Sequence, residues 1–131
     1  MTTLTLNATG IGTESPRSKA ATVTLWAAQL LVAALFLFAG MGKLAGAEMH
    51  VQLFAAIGIG QWFRYVTGSI EVLGAVLLFV PSLARFGALA LTATMIGAIV
   101  THLFVIGGNP AMPIVLLAAS AAIAWVRRSG R

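Results

Sequence analysis

Four long apolar stretches, nearly free of charged residues, constrain the fold of this chain more than any other feature. They run from Thr22 to Ala39, from Trp62 to Val80, from Ala84 to Ile106 and from Pro113 to Val126. The first stretch would form roughly 27 Å of helix, close to the thickness of a bilayer core. Only 8% of the 131 residues are charged, whereas a soluble domain carries about 25%. The pattern predicts an all-α integral membrane protein with a four-transmembrane-helix bundle, and excludes soluble and disordered classes.

Helix breakers and flanking segments define the predicted boundaries. Pro81 ends the second stretch, and Gly107 to Pro110 end the third. The fourth stretch is short, so it needs residues 110–112, or snorkelling of its terminal arginines, to cross a bilayer. A cleaved signal peptide is the rival interpretation of the first stretch, which is however longer than the usual signal core of about 7–15 residues. We expect a disordered polar tail over residues 1–21, a transmembrane domain over 22–126 and a basic tail over 127–131.

The distribution of basic residues predicts the orientation. One side of the predicted bundle holds six Lys and Arg residues, and the other side holds only Lys43 and Arg64. Cytoplasmic loops carry the excess of basic residues, so both termini should be cytoplasmic and the bilayer should be the main partner. Apart from the adjacent Arg127 and Arg128, the basic residues are scattered singly and form no groove for nucleic acid, despite the net charge of +5. The six inner residues are Arg17, Lys19, Arg85, Arg127, Arg128 and Arg131.

The connection between the first and second stretches, residues 41–61, lies outside the membrane in this topology. Its apolar and polar residues have the spacing of a short amphipathic helix on the outer interface, although a plain loop explains them equally well. The residues with that spacing are Glu48, Met49, Gln52, Leu53, Phe54 and Ile57.

Helical projection places the few polar residues of the first three helices on inward faces. Glu71 is the most informative of them, because an ionisable group at bilayer depth is costly unless it faces protein or water. Depths counted from the inner helix ends predict a middle layer joining Glu71 to Gln29 and Thr94, and an outer layer of Arg64, Lys43 and His102 around Thr67. On this count, Lys43 lies near 18 Å from Glu71 along the membrane normal, beyond side-chain reach unless the helices are tilted or the connection dips into the membrane. Small residues that would allow close helix packing are Gly40, Gly68, Gly74 and Gly87.

The chemistry of Glu71 depends on its neighbours, and the sequence leaves it open. A neutral carboxyl among Thr, Gln and His groups suits proton relay or hydrogen bonding to a quinone head group, whereas an ionised one suits a cation. A structural polar cluster that fixes helix register is the third interpretation. The two histidines, His50 and His102, do not form a haem or metal site at their predicted positions. The absence of cysteine excludes thiol nucleophiles and thiolate metal sites, and no catalytic residue is predicted.

Three short motifs in order, Gly40-Met41-Gly42-Lys43-Leu44, Thr67-Gly68-Ser69-Ile70-Glu71 and Thr101-His102, resemble the pattern of DoxX-like membrane proteins. The resemblance covers about residues 22–126. It implies a multi-pass protein of the bacterial cytoplasmic membrane, with some relatives connected to quinone-linked thiosulfate oxidation and to thiol-redox or oxidative-stress complexes. The positions that match the family are Lys43, Thr67, Gly68, Glu71 and His102.

Three functions are compatible with these observations. The first is a non-catalytic membrane subunit of a redox complex, in which the pocket around Glu71 holds a quinone or passes protons. The second is a small transporter or channel for a cation or polar solute, formed by a homo-oligomer. The third is a purely structural anchor that recruits a soluble enzyme through its tails; a soluble redox enzyme is the partner that the resemblance implies. Without cysteine or a cofactor motif, sulfur chemistry would belong to a partner, and independent oxidoreductase activity is not expected.

Overall fold

The computed structural model describes residues 18–128, which form five α-helices and no β-strand. The all-α prediction is therefore confirmed for this part of the chain. The fourth helix continues into a π-helical segment, His102–Ile106. The helices are α1 (Lys19–Ala45), α2 (Glu48–Ile57), α3 (Trp62–Leu77), α4 (Ala84–Thr101) and α5 (Ala111–Val126).

The helix ends follow local capping chemistry. The Ser18 hydroxyl accepts a hydrogen bond from the Ala21 amide, so α1 begins at Lys19, inside the segment predicted to be a disordered tail. The rest of that tail lies outside the described residues. At the other end of α1, Gly46 adopts the left-handed conformation that glycine favours (φ 77°) and ends the helix. The connection that follows contains a helix, α2, so the plain-loop alternative is wrong.

The predicted long helices are present, with small differences at their ends. Helix α3 begins at Trp62 as predicted but ends at Leu77, because the backbone already turns before Pro81. Helix α4 and its π-helical extension cover the predicted range, Ala84 to Ile106. Helix α5 begins at Ala111, two residues before the predicted start, and the Asn109 side chain accepts a hydrogen bond from its first amide.

Glycines permit the close approach of the long helices. Helix α1 packs along α3, α3 packs on α4, and α4 packs on α5. Where α1 meets α3, a Cβ added at Gly40 would lie 2.9 Å from the Gly68 carbonyl oxygen. Where α3 meets α4, a Cβ added at Gly87 would lie 2.5 Å from the Gly74 carbonyl oxygen. The helices therefore meet backbone to backbone at positions where a larger residue would not fit.

The surface of the protein is strongly apolar. Its core contains residues such as Phe36, Leu78 and Leu91, yet many large hydrophobic side chains point outward, including Phe38 at 83% exposure and Phe104 at 80%. Such an extended apolar surface is typical of contact with lipid rather than water. Two helical segments, Lys19–Ala45 and Ala84–Ile106, are long and apolar enough to cross a membrane, and Ala111–Val126 is a shorter apolar helix. Four membrane crossings and the cytoplasmic position of the termini remain predictions.

Candidate functional site

Lys43 and Glu71 form a buried ion pair between α1 and α3. The Lys43 Nζ atom donates to Glu71 Oε2 at 3.1 Å. The two side chains are only 11% and 2% exposed. Their direct contact corrects the separation expected from the sequence, and it places a lysine donor beside the most deeply buried carboxylate of the described chain.

The error came from the assumed register of the helices. The depths predicted from the sequence assumed that the predicted inner ends of α1 and α3 lie at the same depth in the membrane. In the structure, α1 is shifted along its axis, so that Gln29 is level with Leu78 and Lys43 with Gly68. The shift moves Lys43 toward Glu71 by more than one helical turn, and the long lysine side chain covers the remaining gap.

A cavity of about 810 Å³ adjoins this ion pair. Residues from all five helices line it, and the walls are predominantly apolar, with Phe36, Phe54, Met95 and Leu116 among them. Its volume falls within the range of about 300–1,000 Å³ that is common for small-molecule sites. Mostly apolar walls with a few convergent polar groups are also the usual composition of such sites. The polar lining residues are Lys43, Glu71, Thr67, Thr94, Thr101 and His102.

The structure brings most of the predicted site residues to this cavity, but hydrogen bonding differs from the predicted layers. Thr67 donates to the Phe63 carbonyl at 2.8 Å, and Thr94 donates to the Leu91 carbonyl at 2.8 Å. Neither hydroxyl bonds to the Glu71 carboxylate. Threonine hydroxyls in helices commonly bond to the preceding turn in this way, which leaves their oxygen lone pairs available to a ligand.

His102 stands at the junction between α4 and the π-helical segment. Its Nδ1 atom lies 2.8 Å from the Ala98 carbonyl oxygen. Because a carbonyl can only accept, Nδ1 must carry the hydrogen, and in the neutral ring Nε2 is then an acceptor. His102 lines the cavity, and in this tautomer Nε2 is its remaining hydrogen-bond acceptor.

Arg64 does not belong to the cavity, which corrects its predicted place in an outer polar layer. Its guanidinium donates to the Lys43 carbonyl and to Gln61 Oε1, the latter at 2.7 Å, and lies 4.4 Å from the centre of the Tyr65 ring. The Lys43 carbonyl belongs to the last turn of α1, where a cation is favourable. Arg64 thus holds α3 to the end of α1 and fixes the backbone that carries Lys43.

Gln29 lies at the opposite end of the molecule, and its predicted link to Glu71 is wrong. Its amide donates to the Leu78 carbonyl, and its oxygen accepts from Arg127 Nε at 3.1 Å. The Arg127 guanidinium also lies 5.0 Å from the centre of the Trp26 ring. These contacts join α1, the end of α3 and the end of α5, so Arg127, the first residue of the predicted basic tail, is buried in the described structure.

Helix α2 places His50 near Lys43 and Arg64, although His50 does not line the cavity. His50 lies against Gly42 of α1, and its buried Nδ1 has no hydrogen-bond partner within residues 18–128. Burial lowers the pKa of His50 below its ordinary value of 6.5, and the positive charges of Lys43 and Arg64 lower it further. The amphipathic spacing of residues 48–57 indicated a helix. It did not indicate which of the other helices α2 would pack against.

The arrangement combines an apolar chamber with a donor, a carboxylate and an acceptor. Lys43 has two further N–H groups beyond the one that faces Glu71, and Glu71 has a second oxygen. The site can therefore hydrogen-bond a carbonyl and a hydroxyl on one ligand while the walls bury its hydrocarbon. Among the described residues, no group of three or more His, Cys, Asp or Glu side chains is placed to hold a metal ion.

Known proteins resemble this chain in sequence. The sequence profile of the DoxX-like family matches residues 27–123. A curated relative from Bacillus subtilis (strain 168), named "Putative oxidoreductase CatD", is 33% identical over 73 residues, or 56% of this chain and 54% of the relative. The chain thus spans about half the length of that relative, and no solved structure matches it. Since the family profile covers well over half of the sequence, including every polar residue of the cavity, the chain belongs to the DoxX-like family.

Proposed function

We propose that this DoxX-like protein is a membrane subunit of a redox complex, and that its cavity binds the head group of a quinone. The observation that carries the proposal is the cavity of about 810 Å³ with the Lys43–Glu71 ion pair in its wall. A quinone presents carbonyl acceptors on an otherwise apolar molecule, which is the complement of a lysine donor in an apolar chamber. Two electrons from the partner redox enzyme and two protons convert these carbonyls to hydroxyls, for which the cavity-lining Glu71 and His102 offer acceptors.

The proposed location is the bacterial cytoplasmic membrane, with four crossings and cytoplasmic termini. The apolar exterior and the two long apolar helices support an integral membrane protein. In this orientation the cavity lies in the outer half of the membrane, and α2 lies on the outer interface. The name of the Bacillus subtilis relative supports a redox role. Because this chain has no cysteine, we assign thiol chemistry to a soluble partner enzyme and the quinone site to this subunit.

The pairing of Glu71 with Lys43 disfavours the alternative that the protein transports a cation. A cation site needs uncompensated negative charge, and the ammonium group of Lys43 already neutralises the carboxylate at 3.1 Å. A cation would have to displace Lys43 inside an apolar chamber, which would leave a second positive charge buried nearby. A neutral ligand that accepts from Lys43 requires no such rearrangement.

Quinone binding can be tested on the purified protein in a mild detergent. We expect decylubiquinone to bind at one molecule per chain in equilibrium dialysis. Glu71→Gln and Lys43→Met should each weaken binding about tenfold or more, because each removes a polar partner of the head group. Glu48→Gln is the matched control, since Glu48 is an exposed carboxylate on α2 outside the cavity lining.

The redox-complex role has its own test. Gentle purification from the native membrane should recover a soluble oxidoreductase together with this protein. Failure of the wild-type protein to bind decylubiquinone, or equal binding by all three variants, would refute the quinone site. Recovery without any redox enzyme would refute the role as a complex subunit.

A further inference from the structure

We infer that the cavity opens sideways between α3 and α4, and that the hydrocarbon tail of a membrane-dissolved ligand lies in this opening. The inference rests on the proposed function and specifies its ligand class: a neutral carbonyl-bearing head group attached to a long isoprenoid or alkyl tail. The opening is defined by Val66 and Ile70 of α3 and by Ala93 and Gly97 of α4, and it is called the lateral opening below.

Exposure of the cavity wall locates the lateral opening. Most residues that line the cavity are buried or half-buried, whereas Val66, Ile70, Ala93 and Gly97 are exposed. Val66 and Ile70 are one turn apart on α3, and Ala93 and Gly97 are one turn apart on α4, so the exposed wall consists of two facing rows. The remaining exposed lining residue is Met112, at the start of α5.

The packing of α3 and α4 explains why a gap forms there. The two helices touch backbone to backbone at Gly74 and Gly87, near the end of α3 and the start of α4. Farther along α4, a Cβ added at Gly97 would meet no described atom within 4 Å. The cavity lies along this part of both helices, since Val66 and Ile70 line it from α3 and Ala93 and Gly97 line it from α4.

The aqueous side of the cavity is covered. Leu53, Phe54 and Ile57 of α2 line the outer end of the cavity, and α2 also contacts the π-helical segment of α4. The ring of Phe54 packs edge-on against the ring of Phe63 on α3, with ring centres 5.8 Å apart. A water-soluble ligand would have to displace this apolar cover, whereas a ligand dissolved in the bilayer reaches the lateral opening directly.

The residues along this route indicate the chemistry of the ligand. Val66, Ile70, Ala93 and Gly97 offer no charge and no side-chain hydrogen bond, so they suit a hydrocarbon chain. Beyond them lie Lys43 and Glu71, which suit a polar head. A small ring in contact with the ion pair would leave much of the 810 Å³ unfilled, and a tail running back through the opening fills that space. Because most of the cavity wall and the whole lateral opening are apolar, the site favours a ligand with a hydrocarbon tail over one without.

Gly97→Phe tests the lateral opening, because Gly97 lines it, is exposed, and a Cβ added there would meet no described atom within 4 Å. Ala121→Phe is the matched control, since Ala121 is an exposed small residue on α5 that does not line the cavity. Both variants and the wild type are titrated in the same detergent with decylubiquinone and with tetramethyl-1,4-benzoquinone, which has the ring but no tail.

We expect Gly97→Phe to weaken binding of decylubiquinone about tenfold or more and to leave binding of the tailless ring within about twofold, with Ala121→Phe unchanged for both. Equal effects of Gly97→Phe on the two quinones would refute the lateral opening while leaving the quinone site intact. Competition of phosphatidylglycerol against decylubiquinone but not against the tailless ring would assign the opening to bilayer acyl chains and would also overturn the inference. Absence of binding of either quinone to the wild type would refute the proposed function itself.

Discussion

At the scale of single residues, the Lys43–Glu71 pair dominates the properties of the site. Removing two charges from water is costly, and their attraction repays this cost only when the geometry is close. The 3.1 Å contact meets that condition, and Arg64 holds the backbone carbonyl of Lys43 in place. The pair therefore both stabilises the α1–α3 contact and presents polar groups to the cavity.

Breaking this pair from one side should cost more stability than removing it altogether. Lys43→Met leaves a buried carboxylate without a partner, and we expect a loss of about 3–5 kcal/mol in the free energy of unfolding. Lys43→Met combined with Glu71→Gln should recover a large part of that loss. Thermal unfolding of the single and double variants in detergent measures the coupling, and additive effects would show that the two side chains do not interact.

His50 should make stability fall on acidification. Its pKa is lowered in the folded protein, so the unfolded chain takes up a proton first as pH falls below about 6.5, and the free energy of unfolding decreases. Above this pH the neutral ring contributes its full stabilisation. Unfolding curves of wild type and His50→Gln at pH 7.5 and 5.0 should differ in their pH dependence, with a smaller decrease in the variant. An identical decrease would contradict this linkage.

At the scale of helices, periodicity identified the inward faces. Helical projection of α1 places Gln29, Ala33, Phe36, Gly40 and Lys43 on one face, and all five are buried. This agreement has a simple cause: within one helix, the angle between residues depends only on their separation along the chain. No such rule relates two helices, and the axial shift of α1 along α3 could not be counted from their ends.

Glycines at the helix contacts offer a prediction at this scale. In Gly87→Ala the new Cβ would lie 2.5 Å from the Gly74 carbonyl oxygen, which forces α3 and α4 apart and should cost about 1–3 kcal/mol. Gly97→Ala on the same helix meets no neighbour and should be neutral or stabilising by up to about 1 kcal/mol. Thermal unfolding of both variants makes the comparison, and equal losses would refute the role of the Gly74–Gly87 contact.

At the scale of the whole molecule, the apolar exterior and the distribution of basic residues predict how the protein is placed in a membrane. Hydrophobic side chains cover the outside of the long helices, so a bilayer rather than water is their suitable surroundings. Basic residues beside the helix ends predict the orientation. Arg127, although counted there as a tail residue, is buried and contacts Gln29 and Trp26 at the end of the fold where α5 ends.

Single-cysteine labelling can test this topology, because the chain contains no native cysteine. Glu48→Cys on α2 and Ser82→Cys between α3 and α4 are both exposed positions. With a membrane-impermeant maleimide, Glu48→Cys should react in intact cells, and Ser82→Cys should react only after the membrane is opened. The reverse pattern would invert the orientation, and reaction of both in intact cells would contradict the crossings.

The sequence by itself determined the helical class, the approximate bounds of the long helices and the inward faces of α1, α3 and α4, because these depend on local composition and on periodicity within one segment. The tertiary structure alone decided which polar groups meet. In this structure, Lys43 pairs with Glu71 and Gln29 bonds to Arg127. Arg64 bonds to the end of α1, and α2 lies over the cavity. The physical reason is that the axial position of one helix against another is set by the contacts of small residues such as Gly40 and Gly68, and neither helix carries that information alone.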